Sequence, residues 1–229
     1  MNIKRLLFIT AALVLLGACG QTLPKDAYVV GFYNVENLFD TEHDEGKNDL
    51  AFTPEGENAW TPEKYELKLA NIASVIAAMA QKNGRWHTLL GLAEVENDRV
   101  LADLVARPEI ADAGYKFIHV EGPDVRGIDC ALLYRPEEFK VVDVRALPYD
   151  FNSASGIVFE KTPEEQAEFK TRDVLCVRGV LDGEVFAVYV CHWRPVRATR
   201  AATCAAAPRK LSGRTSSRWS SASRTSTSS

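Results

Sequence analysis

The stretch that most constrains the fold is Tyr28-Val29-Val30-Gly31-Phe32-Tyr33-Asn34-Val35-Glu36-Asn37-Leu38-Phe39-Asp40. It starts as an apolar, β-branched and aromatic run and turns polar at Asn34, Glu36, Asn37 and Asp40. Such a run reads as a buried strand that carries a polar group to the rim of a sheet. A second run repeats the arrangement: Thr88 to Ala93 is apolar, and Glu94-Val95-Glu96-Asn97 follows at its end. A buried Asn needs hydrogen-bond partners, so Asn34 is either satisfied by its surroundings or placed for a ligand.

Between the two runs lies a connection and then a helix. Asp40 to Trp60 is polar and too long for a plain turn, so a functional loop is expected there. Thr61-Pro62 opens a helix with Thr at the cap and Pro at the first helical position. Tyr65, Leu69, Ile72, Ile76 and Met79 form one apolar face, which is core packing, and Asn83-Gly84 ends the helix. A second helix is expected from Asp98 to Ala106. Strands are expected at Tyr115 to Val120, Ile128 to Tyr134 and Phe139 to Leu147. Asp150 to Thr171 reads as irregular. Strands and helices alternate at the start, which points to a layered α/β fold.

The clearest local unit is a hairpin. Val174 to Leu181 and Glu184 to His192 flank Asp182-Gly183, a favoured two-residue turn. Its register sets Leu181 opposite Glu184, Cys176 opposite Tyr189 and Val174 opposite Cys191. Cys176 and Cys191 are then diagonal neighbours, about 7–8 Å apart and too far for an undistorted disulfide. Cys130, Cys176 and Cys191 sit in apolar runs and read as buried thiols.

Charge is divided unevenly along the 229 residues. The whole chain carries −4; setting aside eight basic residues in 194–229 and Lys4 and Arg5 leaves −14 for 20–193. An acidic body is not a polyanion-binding surface by itself. If the substrate bears phosphate, something must neutralise the local carboxylates, and a divalent cation is the natural candidate. The N-terminus has a basic pair, an apolar core from Leu6 to Leu16 and then Gly17-Ala18-Cys19. This pattern reads as a bacterial lipoprotein signal over 1–19, with lipid on Cys19 and a tether over 20–27. The expected location is therefore the bacterial cell envelope, lipid-anchored at the outer membrane or the periplasmic face, with no obligate protein partner.

Asn34, Glu94 and His192 all stand at predicted strand ends, and the loop from Gly122 to Asp129 adds Arg126 and Asp129. Carboxylate and amide oxygens suit Mg²⁺ or Mn²⁺. Histidine can donate to a phosphate oxygen, and arginine binds phosphate through its fork. Glu96 is an alternative ligand to Glu94, Arg126 and Asp129 could pair with each other, and His43, His87 and His119 stand in no motif. A carboxylate-pair glycosidase using Glu94 and Glu96 would need both on one face of a strand, about 7 Å apart, and the sequence offers no aromatic sugar platform.

Taken in order, Tyr33-Asn34-Val35-Glu36-Asn37-Leu38-Phe39-Asp40, Trp60-Thr61 with Lys64-Tyr65, Gly91-Leu92-Ala93-Glu94-Val95-Glu96-Asn97, Arg126-Gly127-Ile128-Asp129 with Ala131-Leu132-Leu133-Tyr134, and His192-Trp193 resemble the endonuclease/exonuclease/phosphatase superfamily. The similarity is greatest to its secreted and lipoprotein members from Bacteroidetes-type bacteria, and spans about 28–193. It implies a four-layer α/β sandwich of two mixed sheets flanked by helices, deoxyribonuclease-like and incomplete here. It also implies divalent-metal-dependent hydrolysis of phosphate esters, nucleic acid among them. By resemblance, Asn34 touches phosphate or metal and Glu94 binds the metal. Arg126, Asp129 and Arg172 lie on the substrate side, and His192 contacts the scissile phosphate. Position 191 is Cys where related proteins commonly have Asn.

The resemblance is expected to stop at Trp193. Residues 194–229 are rich in Ala, Arg, Ser and Thr and read as a basic disordered arm. The family's Asp-x-Asn and terminal Asp-His motifs do not follow, and a reading-frame shift near Trp193 is the expected cause. Two functions are carried forward: a Mg²⁺- or Mn²⁺-dependent, nuclease-like phosphoesterase with an impaired site, and a truncated lipoprotein that binds phosphate without turnover.

Overall fold

A computed structural model describes residues 27–148 and 171–193; Cys19, Cys204 and the proposed signal, tether and tail lie outside them. The described chain forms strands β1 (Val30–Leu38), β2 (Leu89–Val95), β3 (Lys116–His119), β4 (Asp129–Tyr134), β5 (Phe139–Leu147), β6 (Val174–Leu181) and β7 (Glu184–Val190), with helices α1 (Pro62–Asn83) and α2 (Asp98–Val105). The first sheet has the order β1-β2-β4-β3 and is mixed, because β1 and β2 run parallel while β4 is antiparallel to its neighbours. The second sheet, β5-β6-β7, is antiparallel. The α/β sandwich read from the sequence is thus present.

The two-residue periodicity of a strand sorts side chains onto opposite faces. Leu90, Leu92, Ala131 and Leu133 join the core under the helices, against Tyr65, Leu69, Ile72, Ile76, Val100, Leu101 and Leu104. Their neighbours Leu89, Cys130 and Leu132 point the other way and pack on Phe139, Leu175, Val177, Leu181 and Val190 of the second sheet. β2 and β4 are therefore buried on both faces. Gly91 marks a close approach, since a Cβ there would lie 3.2 Å from Val190 and 3.3 Å from Phe32.

α1 begins and ends where its sequence signals stand. Pro62 takes the first turn, and Gly84 adopts the left-handed conformation (φ 74°) that closes the helix. Thr61 occupies the cap position, but its side chain makes no capping hydrogen bond. α2 is capped by Asn97, whose side chain accepts from the backbone N–H groups of Arg99 and Val100. No helix among the described residues is long and apolar enough to cross a membrane.

Four expectations change. β1 is an edge strand rather than a buried one, with Val30 64% and Phe32 54% exposed. It also does not stop at Asn34. Asn34 pairs with Ala93, the register then shifts, and the ladder closes with Leu38 opposite Val95. Glu36 and Asn37 bridge the shift in the left-handed region (φ 55° and 63°). The hairpin keeps the expected register at Leu181–Glu184 and Cys176–Tyr189, but its outermost pair is Leu175–Val190. Val174 and Cys191 are not paired. Cys130, Cys176 and Cys191 are free thiols, and Cys191 is only half-buried.

Candidate functional site

The parallel pairing of β1 and β2 sets Asn34 and Glu94 at the same end of the sheet, one step past the Asn34–Ala93 pair. Glu94 has φ 65°, a conformation that costs a non-glycine residue energy and turns its side chain out of the strand's alternation. The turned carboxylate meets two groups. Asn34 Nδ2 donates to Glu94 Oε1 at 3.2 Å, and His192 Nε2 lies 3.4 Å from the same oxygen. Three residues from distant segments thus converge on one half-buried carboxylate.

Asn34 is held on its other side too. Its Oδ1 accepts from the Glu36 backbone N–H at 2.8 Å, so the amide presents its N–H groups, not its oxygen, to the site. His192 follows two residues after β7 and is set by Arg172. The Arg172 Nε donates to the His192 carbonyl at 3.0 Å, and Nη1 donates to Asp124 Oδ2 at 2.9 Å. Arg172 and Asp124 are both buried. Burial opposes the charge on Asp124, but the Arg126 backbone N–H and the Arg172 guanidinium outweigh it and lower its pKa. Burial holds the His192 pKa below its ordinary value, Arg172 and Arg126 add to that, and Glu94 opposes it. The imidazole is therefore neutral at pH 7.

The structure separates Arg126 from Asp129. Arg126 is exposed and lies 3.4 Å from Asp124. Asp129 is buried, accepts from the Gly122 backbone N–H at 3.0 Å and lies 3.7 Å from His119 Nε2. A Cβ on Gly122 would fall 2.3 Å from the Asp129 carboxylate, so only glycine allows this approach. His119, given no role from sequence, also binds Asp98 at 2.9 Å. Arg126 faces the His192 side of the site, while Asp129 is enclosed behind it.

Lys68 went unnoticed in the sequence. It stands on α1 between Leu67 and Leu69, and its ammonium donates to the Glu36 carbonyl at 3.0 Å. Burial lowers its pKa, and the charges of Glu36 and Glu94 oppose that shift. A cation beside the polar end of β1 can be inferred only once the helix is laid against the sheet, so no local signal marks it.

Glu96 is not the alternative ligand at this rim. It lies 2% exposed, and its Oε2 accepts from the Asp40 backbone N–H at 2.7 Å. Burial pushes its carboxyl up to about 9; the Asp40 N–H opposes that, and the charges of Asp40 and Asp44 add to it. The left-handed turn at Glu94 sends the two glutamates to different places, which removes the shared-face geometry a glycosidase reading needs.

A metal at the rim would rest on Glu94, the one carboxylate that Asn34 and His192 share. That set fits Mg²⁺, which is commonly held by one or two carboxylates together with substrate phosphate and several waters. Among the described residues, two further groups could hold an ion: His119 with Glu121 and Asp129, and Asp44 with Asp49 and Glu96.

Residues 29–219 match the model of the endonuclease/exonuclease/phosphatase family. The chain belongs to that family. The match runs past Trp193, where the sequence reading ended the resemblance. Solved structures that are similar include a mannosyl-6-phosphatase from Bacteroides thetaiotaomicron VPI-5482 (18% identity, 71% of this chain and 50% of that one, TM-score 0.38). Another is an endonuclease/exonuclease/phosphatase family protein from Bacteroides thetaiotaomicron (16%, 71% and 49%, TM-score 0.36). A third is ANGEL2, a 2′,3′-cyclic phosphatase (16%, 55% and 31%, TM-score 0.39). The chain spans half or less of the length of each. No curated protein matches it.

Proposed function

We propose that the protein is a divalent-metal-dependent phosphoesterase that hydrolyses a phosphomonoester or phosphodiester at the rim formed by Asn34, Glu94 and His192. The observation that carries this reading is the convergence of Asn34 Nδ2 and His192 Nε2 on Glu94 Oε1. Three segments far apart in sequence meet at a half-exposed strand end. Family membership supports the reaction class.

Roles follow from the geometry. Glu94 would anchor Mg²⁺ or Mn²⁺, which when bound supplies Lewis acidity to a phosphoryl oxygen. Asn34 offers an amide N–H, and neutral His192 offers one ring N–H, to phosphate oxygens. Arg172 positions His192 through its carbonyl. Arg126 and Lys68 provide positive charge around an otherwise acidic chain, which draws an anionic ester to this rim. Asp129 keeps the loop carrying Arg126 in place through Gly122. We also propose envelope anchoring through lipid on Cys19, tested by radiolabelled palmitate incorporation into the chain and its loss in Cys19→Ser.

The test is hydrolysis of bis-p-nitrophenyl phosphate and p-nitrophenyl phosphate by the full chain with Mg²⁺ or Mn²⁺, with and without EDTA. Turnover that EDTA removes and Glu94→Ala abolishes supports the reading. A folded protein that binds phosphate without turnover overturns it in favour of a binding role.

A further inference from the structure

The connection from Asp40 to Trp60 holds a second cluster that the phosphoesterase rim does not use. Asp49 is 2% exposed, Glu96 is 2% exposed and Asp44 is half-buried. One oxygen from each lies within 4.8 Å of the others. Three of the cluster's six carboxyl oxygens meet a nitrogen. His43 Nδ1 contacts Asp49 Oδ1, the Asp44 backbone N–H donates to Asp49 Oδ2 at 2.9 Å, and the Asp40 backbone N–H donates to Glu96 Oε2. Glu96 Oε1 is fully enclosed and has no hydrogen-bond partner. An enclosed carboxyl oxygen with no hydrogen-bond partner, in a group of three acids, is a costly arrangement.

The nearest guanidinium does not relieve it. Arg99 is committed to Asp40 Oδ2 at 2.6 Å and Glu42 at 2.7 Å. Lys47, on the same loop, is turned to Glu121 and the Gly122 carbonyl. Apart from His43 at Asp49, these three acids have no ion-pair partner among the described residues, and one oxygen from each lies close enough to the others to share one ion. A Ca²⁺ ion takes six to eight oxygens at about 2.3–2.6 Å in flexible geometry, which a loop and a strand end can supply together with water. Mg²⁺ demands a smaller and near-octahedral shell, which an irregular loop and a strand end fit less well.

We propose that Asp44, Asp49 and Glu96 bind a calcium-class divalent cation, separate from the catalytic metal at Glu94. Bound there, the ion ties the loop to the chain leaving β2, two residues beyond Glu94. Asp40, Asn97 and Arg99 already bridge the same two segments: Asn97 Nδ2 donates to Asp40 Oδ2 at 3.1 Å. The site would therefore brace the segments that follow Asn34 and Glu94 without touching substrate.

The experiment uses the full chain carrying Glu94→Gln, so that the rim contributes little binding of its own. After EDTA treatment and desalting, thermal unfolding is followed with about 1 mM CaCl₂ or MgCl₂. Calcium should raise the melting temperature by on the order of 5 °C, and magnesium by much less. Bound calcium, by atomic emission, should approach about one ion per chain. Adding Asp44→Asn, at a half-exposed position that tolerates change, should abolish both signals, and Glu96→Gln should do the same. The proposal is overturned by an absent calcium response, or by one that survives Asp44→Asn. It is also overturned if Glu96→Gln without calcium melts as high as the calcium-loaded parent, since the pocket would then require only a neutral group.

Discussion

At the rim, Glu94 is half-buried, receives an N–H from Asn34 and has His192 beside it. Two residues on, Glu96 is enclosed, receives one backbone N–H from Asp40 and leaves its other oxygen bare. The rim is assembled from β1, β2 and the end of the hairpin, and its charge is balanced by Lys68, Arg126 and Arg172. The inner cluster is assembled mainly from one loop, and among the described residues its ion-pair partner is His43, at Asp49. The contrast shows how one strand end can serve two purposes. A left-handed residue at Glu94 rotates the chain, and successive acids are delivered to opposite environments. Carboxylate spacing in the sequence says nothing of this, because period-two reasoning assumes an unbroken strand.

Variants can press on that contrast. The largest effect is expected from Arg172→Met. It leaves Asp124 buried, ionised and unpaired, and stability measured by urea unfolding should fall by about 3–5 kcal/mol. A loss below about 1 kcal/mol would show that the rim does not depend on this buried pair. Next comes Glu94→Ala, which should lower metal-dependent turnover by about 10²–10³-fold while the melting temperature stays within about 1 °C. A large drop in melting temperature would erase the distinction between a working carboxylate and a structural one. Glu96→Ala should show the reverse pattern in stability: about 1–3 kcal/mol lost as the Asp40 N–H is stranded.

The smallest effect is expected from pH. The folded pKa of His192 lies below its unfolded value of about 6.5. The unfolded chain therefore binds more protons in the window between the two. The contribution of His192 to stability is present above about pH 6.5 and is lost as pH falls through the lower, folded value. Urea unfolding at stepped pH should show this slope in the native chain, and His192→Asn should flatten it. An unchanged slope would mean that His192 is not held neutral by burial and Arg172.

Much of the frame was legible from sequence because its signals are local. Phe139 to Leu147 is recovered at its bounds as β5. Asp182-Gly183 fixes the hairpin register through two positive φ values, 51° and 80°. Gly84 stops α1 for the same conformational reason. Asn34, Glu94 and His192 were singled out, and the fold brings them together. What escaped depends on tertiary context. Lys68 looks like any polar residue beside a helix stripe. Asp129 reads as a loop acid until Gly122 and His119 close over it. The apolar start of β1 reads as buried, yet Val30 and Phe32 are exposed at the sheet's edge. Hydrophobicity specifies that a residue prefers cover, not where the cover comes from.

The parallel pairing of β1 and β2 has a practical corollary. Because the crossover returns to the same end of the sheet, the ladder from Val30–Leu89 to Asn34–Ala93 brings the backbones of Asn34 and Glu94 together. The far turn at Asn83-Gly84, where α1 ends, sits upstream of that ladder and at the opposite end from the rim. It is a natural port for a fluorophore, an affinity tag or an inserted reporter. Cargo placed there would report on folding while leaving the chemistry at the other pole undisturbed.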